Sequence, residues 1–156
     1  MQVRAIIGVI GAGSASPQAE AWAYEIGRLI AERGAVLVCG GLDGVMRAAC
    51  RGCAEAGGET LGILPGSEAQ AANPWVTYPI VTNMGHARNV IIAHTAQALI
   101  AVDGEYGTLS EIAVSLKLGR TVAALGAWPG IPGVFYVDSP RAAVDLVFQR
   151  LAENEK

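Results

Sequence analysis

The residues most suited to chemistry are one carboxylate, one arginine and three small-residue loops. Glu111 lies in GEYGTLSEI (104–112), directly behind the apolar run QALIAV (97–102). Arg88 lies in NMGHARN (83–89), ahead of another apolar segment, and a guanidinium there can fork onto a phosphate or a carboxylate. The loops are GAGSAS (11–16), GGLDGVM (40–46) and GEYGTLSEI itself, each following a strand-like run and opening a helix-like one. At such a junction backbone N–H groups and the positive end of the helix dipole face an incoming anion.

The three loops carry different weight. GAGSAS offers Gly11, Gly13 and Ser14, but Ser16 stands where the third glycine of GxGxxG would be, so it is a poor dinucleotide fingerprint. GGLDGVM places Gly40, Gly41 and Gly44 together, freeing the backbone for close approach, and with no GK[ST] it is not a Walker loop. In the third loop Gly104, Gly107 and Thr108 could hold an anion. Thr108-x-x-Glu111 is also a capping box, in which each side chain satisfies the other's backbone N–H. The spacing alone leaves Glu111 as either a working carboxylate or a cap. His86 is a candidate acid or base, although a lone loop histidine is more often neither. Trp75 offers a ring for stacking on a heterocycle, set against burial in a loop or subunit contact, and the same choice applies to Trp22 and Trp128.

These loops need a framework that brings them to one edge. The chain has 156 residues, 52% hydrophobic and 16% charged, with a mean hydropathy of +0.38. Such a composition calls for strands buried on both faces, further surface hidden in an oligomer, or both. Strands are read at 5–10, 35–39, TLGILPG, PIVT, 97–102, 121–126 and 133–137. Helices alternate with them. Ser16-Pro17 and Ser139-Pro140 are N-cap and first-turn signals, and Gly34 stops the first helix. Trp22, Ile26, Leu29 and Ile30 share one helical face. Leu109, Ile112, Ala113 and Leu116 share another, and Val144, Val147, Phe148 and Leu151 line the last helix. Alternating β and α with fully apolar strands predicts an α/β fold, one Rossmann-like, doubly wound parallel sheet with helices on both faces, spanning 1–156 as a single domain. Ligands of such sheets bind beyond the carboxyl ends of the strands, where the strand order reverses.

Several classes are excluded or disfavoured. A net charge of −3 with only two lysines, Lys117 and Lys156, argues against a nucleic-acid surface. No apolar run is long enough for a membrane span and no signal peptide is visible, so a cytoplasmic protein is expected. Cys50 and Cys53 form a lone CxxC on a helix and Cys39 stands apart, with His86 and His94 distant in sequence. Buried, idle thiols are expected rather than a metal site.

GGLDGVM, NMGHARN and GEYGTLSEI, in this order and spacing, resemble the lysine-decarboxylase-like (LOG-type) superfamily. Its best-known members are phosphoribohydrolases that cleave nucleoside 5′-monophosphates. ARN, GTLSEIA and the later LGAW are closer to its small bacterial branch, similar to molybdenum cofactor carrier proteins. The resemblance runs from GVIGAGS to LGAW. It implies that Gly40, Gly41, Gly44, Gly107 and Thr108 surround a phosphate and that Arg88 and Glu111 face the ribose or its counterpart. In a hydrolase Glu111 would stabilise oxocarbenium-like charge and Arg88 would orient the leaving group. The sequence departs from the hydrolase pattern: Asp103 and Glu105 stand in place of Pro and Gly, and Asn89 replaces the lysine that usually follows the arginine. Nothing resembles a pyridoxal-phosphate lysine. The resemblance therefore implies a binder of a phosphorylated heterocycle, a nucleotide or the molybdenum cofactor, in a homo-oligomer (dimer or tetramer), with phosphoribohydrolase activity as the alternative. No other cofactor is expected to be required.

Overall fold

The first apolar run forms β1 (Ile6–Gly11), whose inner residues Ile7, Gly8, Val9 and Ile10 are buried. It lies at the centre of one seven-stranded sheet in the computed structural model, which describes residues 3–155. The other strands are β2 (Val36–Cys39), β3 (Thr60–Leu64), β4 (Tyr78–Val81), β5 (Ala98–Val102), β6 (Thr121–Leu125) and β7 (Phe135–Tyr136). The order is β4-β3-β2-β1-β5-β6-β7, and every neighbouring pair is parallel. The expected doubly wound parallel sheet is therefore present. β5 and β6 are buried at every position, as strands covered on both faces must be.

Among the described residues five α-helices cover the sheet: α1 (Pro17–Glu32), α2 (Val45–Glu55), α3 (Arg88–Thr95), α4 (Tyr106–Lys117) and α5 (Pro140–Asn154). The buried apolar residues divide into two clusters, one on each face. α1, α2 and α5 share the cluster containing Ile26, Ile30, Leu37, Ile100 and Val144. α3 and α4 share the other, with Ile10, Ile63, Ile92, Leu99 and Ile112. α1 and α2 cross closely at Gly27 and Gly52, where a Cβ on either would collide with the backbone of the opposite helix. The three cysteines are free and buried. Burial pushes the Cys53 thiol up to about 12.

Sequence signals marked two helix starts well. Ser16 caps α1 by accepting from Ala19 N–H at 3.1 Å, and Ser139 caps α5 by accepting from Ala142 N–H at 3.1 Å, each followed by proline. The start of α4 differs from its expected form. The helix begins at Tyr106, not Thr108, and its N-cap, Glu105, makes no side-chain capping bond. The Thr108–Glu111 capping box is therefore absent. Both side chains lie past the first position of the helix, on a buried stripe with Ile112 and Ser115. Ala113, expected to face inward, is exposed, and Leu109 and Leu116 are half-buried. The inner face of α4 is thus partly polar. β7 is also shorter than the run 133–137 suggested: Val134 N–H is taken up in a turn by Ile131 O, and Val137, whose N–H still reaches Ala124 O of β6 at 3.0 Å, lies just past the strand's end.

A candidate anion-binding cleft at the strand-order switch

The strand order reverses between β1, which continues to β2, and β5, which continues to β6. At that point a cleft of about 380 Å³ opens beyond the carboxyl ends of the strands. Its walls include Gly11, Gly13 and Ser14 after β1, Gly40 and Met46 around the start of α2, and Arg88 and Asn89 at the start of α3. His86 precedes that helix, and Glu105, Gly107, Thr108 and Glu111 come from the start of α4. The expected residues Gly11, Gly13, Ser14, Gly40, Arg88, Gly107, Thr108 and Glu111 thus converge on one cavity.

Gly41, Gly44 and Gly104 do not line it; they shape it. Gly44 has φ +66°, and a side chain there would run into the Ala12 and Gly13 backbone. It lets the loop after β1 lie against the start of α2, where Val45 N–H donates to Ala12 O at 2.9 Å. Gly41 packs against Leu64 and Gly62, and Gly104 against the Thr108 side chain. Asp103, just before Gly104, also takes a left-handed conformation (φ +54°), which aspartate tolerates better than most residues.

Two helix N-termini meet this cleft without a side-chain cap. α2 begins after Gly44 and α4 after Glu105, and neither N-cap supplies an oxygen to the first turn. The first N–H groups of a helix have no intrahelical acceptor. At α4 they belong to the segment that lines the cleft. Thr108 is largely buried there, and its hydroxyl makes no side-chain hydrogen bond among the described residues.

Arg88 is 8% exposed and is not the solvated helix-end residue its position would also have allowed. Its Nε donates to Ile63 O at 2.8 Å, one Nη reaches Gly40 O at 3.5 Å, and the other donates to the Asn89 side chain. A Cβ at residue 40 would lie 2.7 Å from that guanidinium, which is why a glycine stands there. Asn89 Nδ2 then reaches Ser110 Oγ at 3.4 Å, and Ser110 Oγ donates to Gly107 O at 2.7 Å. This chain of bonds joins the end of β3, the loop after β2, α3 and α4. Arg88 fixes the floor of the cleft while placing positive charge beneath it.

Glu111 is 8% exposed and has no hydrogen-bond partner in the protein among the described residues. Burial raises its carboxyl to about 8, against the opposing pull of the nearby Arg88 charge. A polar group held dry and unpaired costs stability unless something binds it. Glu111 finds no partner in the protein, but it faces the cleft, where water or a bound molecule can reach its carboxyl.

The sequence reading did not include Asn89 as a site residue, except as a departure from the hydrolase pattern, and did not include Met46. His86 and Glu105 are both exposed at the rim. Asn89 and Met46 carry no spacing signal of their own, since an amide and a thioether at helix starts are ordinary. Trp75 lies off the cleft, packed against the core on the α1/α2 face and 5.9 Å from the Arg51 guanidinium carbon, and Trp22 is likewise half-buried on that face. Trp128 is half-buried near the rim, its Nε1 donating to Glu105 O at 3.0 Å. Among the described residues no helix is long and apolar enough to cross a membrane, and no three His, Cys, Asp or Glu side chains gather to hold a metal ion.

Comparison with known proteins gives the same framework. The molybdenum cofactor binding protein from the phototrophic bacterium Rippkaea orientalis is 34% identical and superposes with a TM-score of 0.92, covering 97% of this chain and 99% of that one. The molybdenum cofactor (Moco) carrier protein from Chlamydomonas reinhardtii is 36% identical with a TM-score of 0.89, over the same shares of the two chains. An uncharacterized protein of Archaeoglobus fulgidus is 48% identical over 139 residues, 89% of this chain and 91% of that one. Residues 4–151 match the model of the SLOG cluster4 family, and the chain belongs to that family.

Proposed function

We propose that this protein is a non-catalytic binding protein for a phosphorylated heterocycle, a nucleotide or the molybdenum cofactor, held in the cleft between β1 and β5. The observation that carries this reading is the convergence of two uncapped helix N-termini, α2 and α4, on one cleft at the switch point. A phosphate seated at the α4 start accepts the free N–H groups and the Thr108 hydroxyl, and the helix dipole favours its charge. The cleft volume falls within the range of small-molecule sites. The likeness to proteins named for binding or carrying the molybdenum cofactor supports that cofactor as ligand.

In this reading Glu111 acts as a ligand contact. Protonated at neutral pH, it donates one hydrogen bond and accepts another from the bound heterocycle or its sugar-like portion. Arg88 supplies charge from below and holds the loop after β2 in place. The same cleft weighs against phosphoribohydrolase chemistry. The position of the hydrolase lysine is taken by Asn89, which is occupied in bonding Arg88 and Ser110.

The remaining parts of the reading are a single domain over 1–156, a cytoplasmic location and a homo-oligomer. The last is supported by apolar exposure along β4 and the segment that follows: Tyr78, Ile80, Val81, Met84 and Val90 are all exposed. Light scattering tests it, and a monomer at micromolar concentration would remove it.

The deciding experiment incubates the protein with nucleoside 5′-monophosphates and measures both binding and release of free base, with Glu111→Ala as control. Binding without release, weakened in the variant, is expected. Base release that disappears in Glu111→Ala would make the protein a phosphoribohydrolase instead.

A further inference from the structure

Tyr106 is 79% exposed, more than any other aromatic side chain among the described residues' exposed large hydrophobics. It is the first residue of α4, and its neighbours in the chain, Glu105 and Gly107, both line the cleft. Its ring rests on Trp128, with centroids 5.6 Å apart and planes tilted by 43°. Trp128 in turn is held from two sides. Its indole N–H donates to Glu105 O at 3.0 Å, and its own carbonyl accepts from the Tyr136 hydroxyl, which accepts from Ile131 N–H at 2.9 Å. The loop after β6 is thereby tied to the start of α4, and an aromatic pair is held at the rim where the free N–H groups lie.

Nothing in the packing accounts for the outer face of Tyr106. Its inner face meets Trp128, which belongs to the α3/α4 core cluster. A tyrosine left this open forgoes the burial that usually justifies an aromatic residue. Its location gives that face a use. Tyr106 and Trp128 stand just outside the lining of the cleft, beside Glu105, so a molecule anchored by an anion on the Gly107 and Thr108 amides meets the ring where it extends past the rim.

We propose that Tyr106, braced by Trp128, is the stacking platform for the fused ring of the ligand. It then sets specificity for bicyclic heterocycles, purine or pterin, over single-ring or ring-free phosphates. This inference rests on the phosphate site proposed above and adds the ring subsite to it. Stacking of a base on an aromatic side chain is sequence-tolerant but size-dependent, because the gain scales with overlapped π surface. Trp128 serves mainly as the support: its indole fixes the slope and position of the tyrosine ring.

Isothermal titration of wild type, Tyr106→Ala and Tyr106→Phe with three probes tests this: GMP, neopterin monophosphate and ribose 5-phosphate. The expected result is a loss of roughly 5- to 100-fold in affinity for GMP and for neopterin monophosphate in Tyr106→Ala. Tyr106→Phe restores it, and ribose 5-phosphate binds all three proteins alike. Comparing the first two probes shows whether the platform prefers purine or pterin. In a Trp22→Phe/Trp75→Phe background, Trp128 fluorescence should change with GMP and not with ribose 5-phosphate. Unchanged GMP and neopterin affinity in Tyr106→Ala, with binding retained, would overturn the platform and leave the phosphate site standing. The same holds if Tyr106→Ala alters only the oligomeric state, which would make the ring a subunit contact. Failure of wild type to bind any of the three probes would overturn both.

Discussion

The starts of α1 and α5 and the starts of α2 and α4 are built on opposite plans. α1 and α5 each open with a serine that satisfies its own helix, followed by proline at the first turn. α2 and α4 open without such an oxygen, one after a glycine and one after a glutamate whose side chain makes no cap. All four helices follow strands of the same sheet, so their dipoles are alike. What differs is whether a side chain caps the first turn: at α2 only the first N–H is closed, by Ala12 O, and α4 has no side-chain cap. The two capped starts are structural, and the two open starts meet at the cleft.

The largest test of this contrast concerns Glu111, a largely buried carboxyl that the protein leaves unpaired in the cleft wall. Its carboxyl titrates at about 8 in the folded chain, above the usual carboxylate range. The folded chain therefore keeps a proton that the unfolded chain has already lost at neutral pH. Its stability is full below the ordinary carboxylate range and falls as pH rises towards 8. Glu111→Gln removes that titration. Its stability relative to wild type should grow by on the order of 3–5 kcal/mol between pH 4 and pH 9. Urea unfolding across that range measures it, and a pH-independent difference would mean that Glu111 is solvated or paired.

A smaller effect is expected from Gly44→Val, which places a side chain at φ +66° against the Ala12 and Gly13 backbone. It should cost about 3 kcal/mol and abolish anion binding, since it parts the first two loops. Next come Ser16→Ala and Ser139→Ala, at about 1 kcal/mol each in thermal unfolding, with ligand affinity unchanged. Glu105→Asp sharpens the comparison from the other side. The N-cap backbone is extended there, so the shorter carboxylate can cap α4 while keeping the charge. The variant should gain about 0.5 kcal/mol in the free protein and bind phosphate less well, measured by calorimetry with and without ribose 5-phosphate.

The same contrast explains what could be read from the sequence. The five apolar runs that became β1, β2, β3, β5 and β6 specify the centre of the sheet, because strands buried on both faces leave little ambiguity, while β4 and β7 are exposed edges. Ser16-Pro17 and Ser139-Pro140 mark helix starts because a cap is local chemistry. Thr108-x-x-Glu111 has the same local form and misleads. The helix begins two residues earlier, at Tyr106, and the stripe Thr108, Glu111, Ile112, Ser115 turns inward, its first two residues lining a cleft that only the assembled sheet creates. Ala113 is exposed for that reason. The glycines of the three loops were visible as a group. Their division into those that line the cleft, such as Gly40 and Gly107, and those that hold loops together, such as Gly41, Gly44 and Gly104, depends on neighbours distant in sequence. Arg88 shows the same limit. Its type and position suggested a ligand contact, and its contacts with Ile63 O, Gly40 O and Asn89 emerge only when β2, β3 and α3 are side by side.

The central claim is that the open helix starts bind the anion and the capped ones do not. Amide ¹H–¹⁵N spectra recorded during titration with ribose 5-phosphate test it residue by residue. The account predicts shifts for the amides of Met46, Gly107 and Thr108, with those of Gln18 and Arg141, at the capped starts of α1 and α5, unmoved. Equal shifts at the capped starts, or none at Gly107 and Thr108 at saturating ligand, would contradict it.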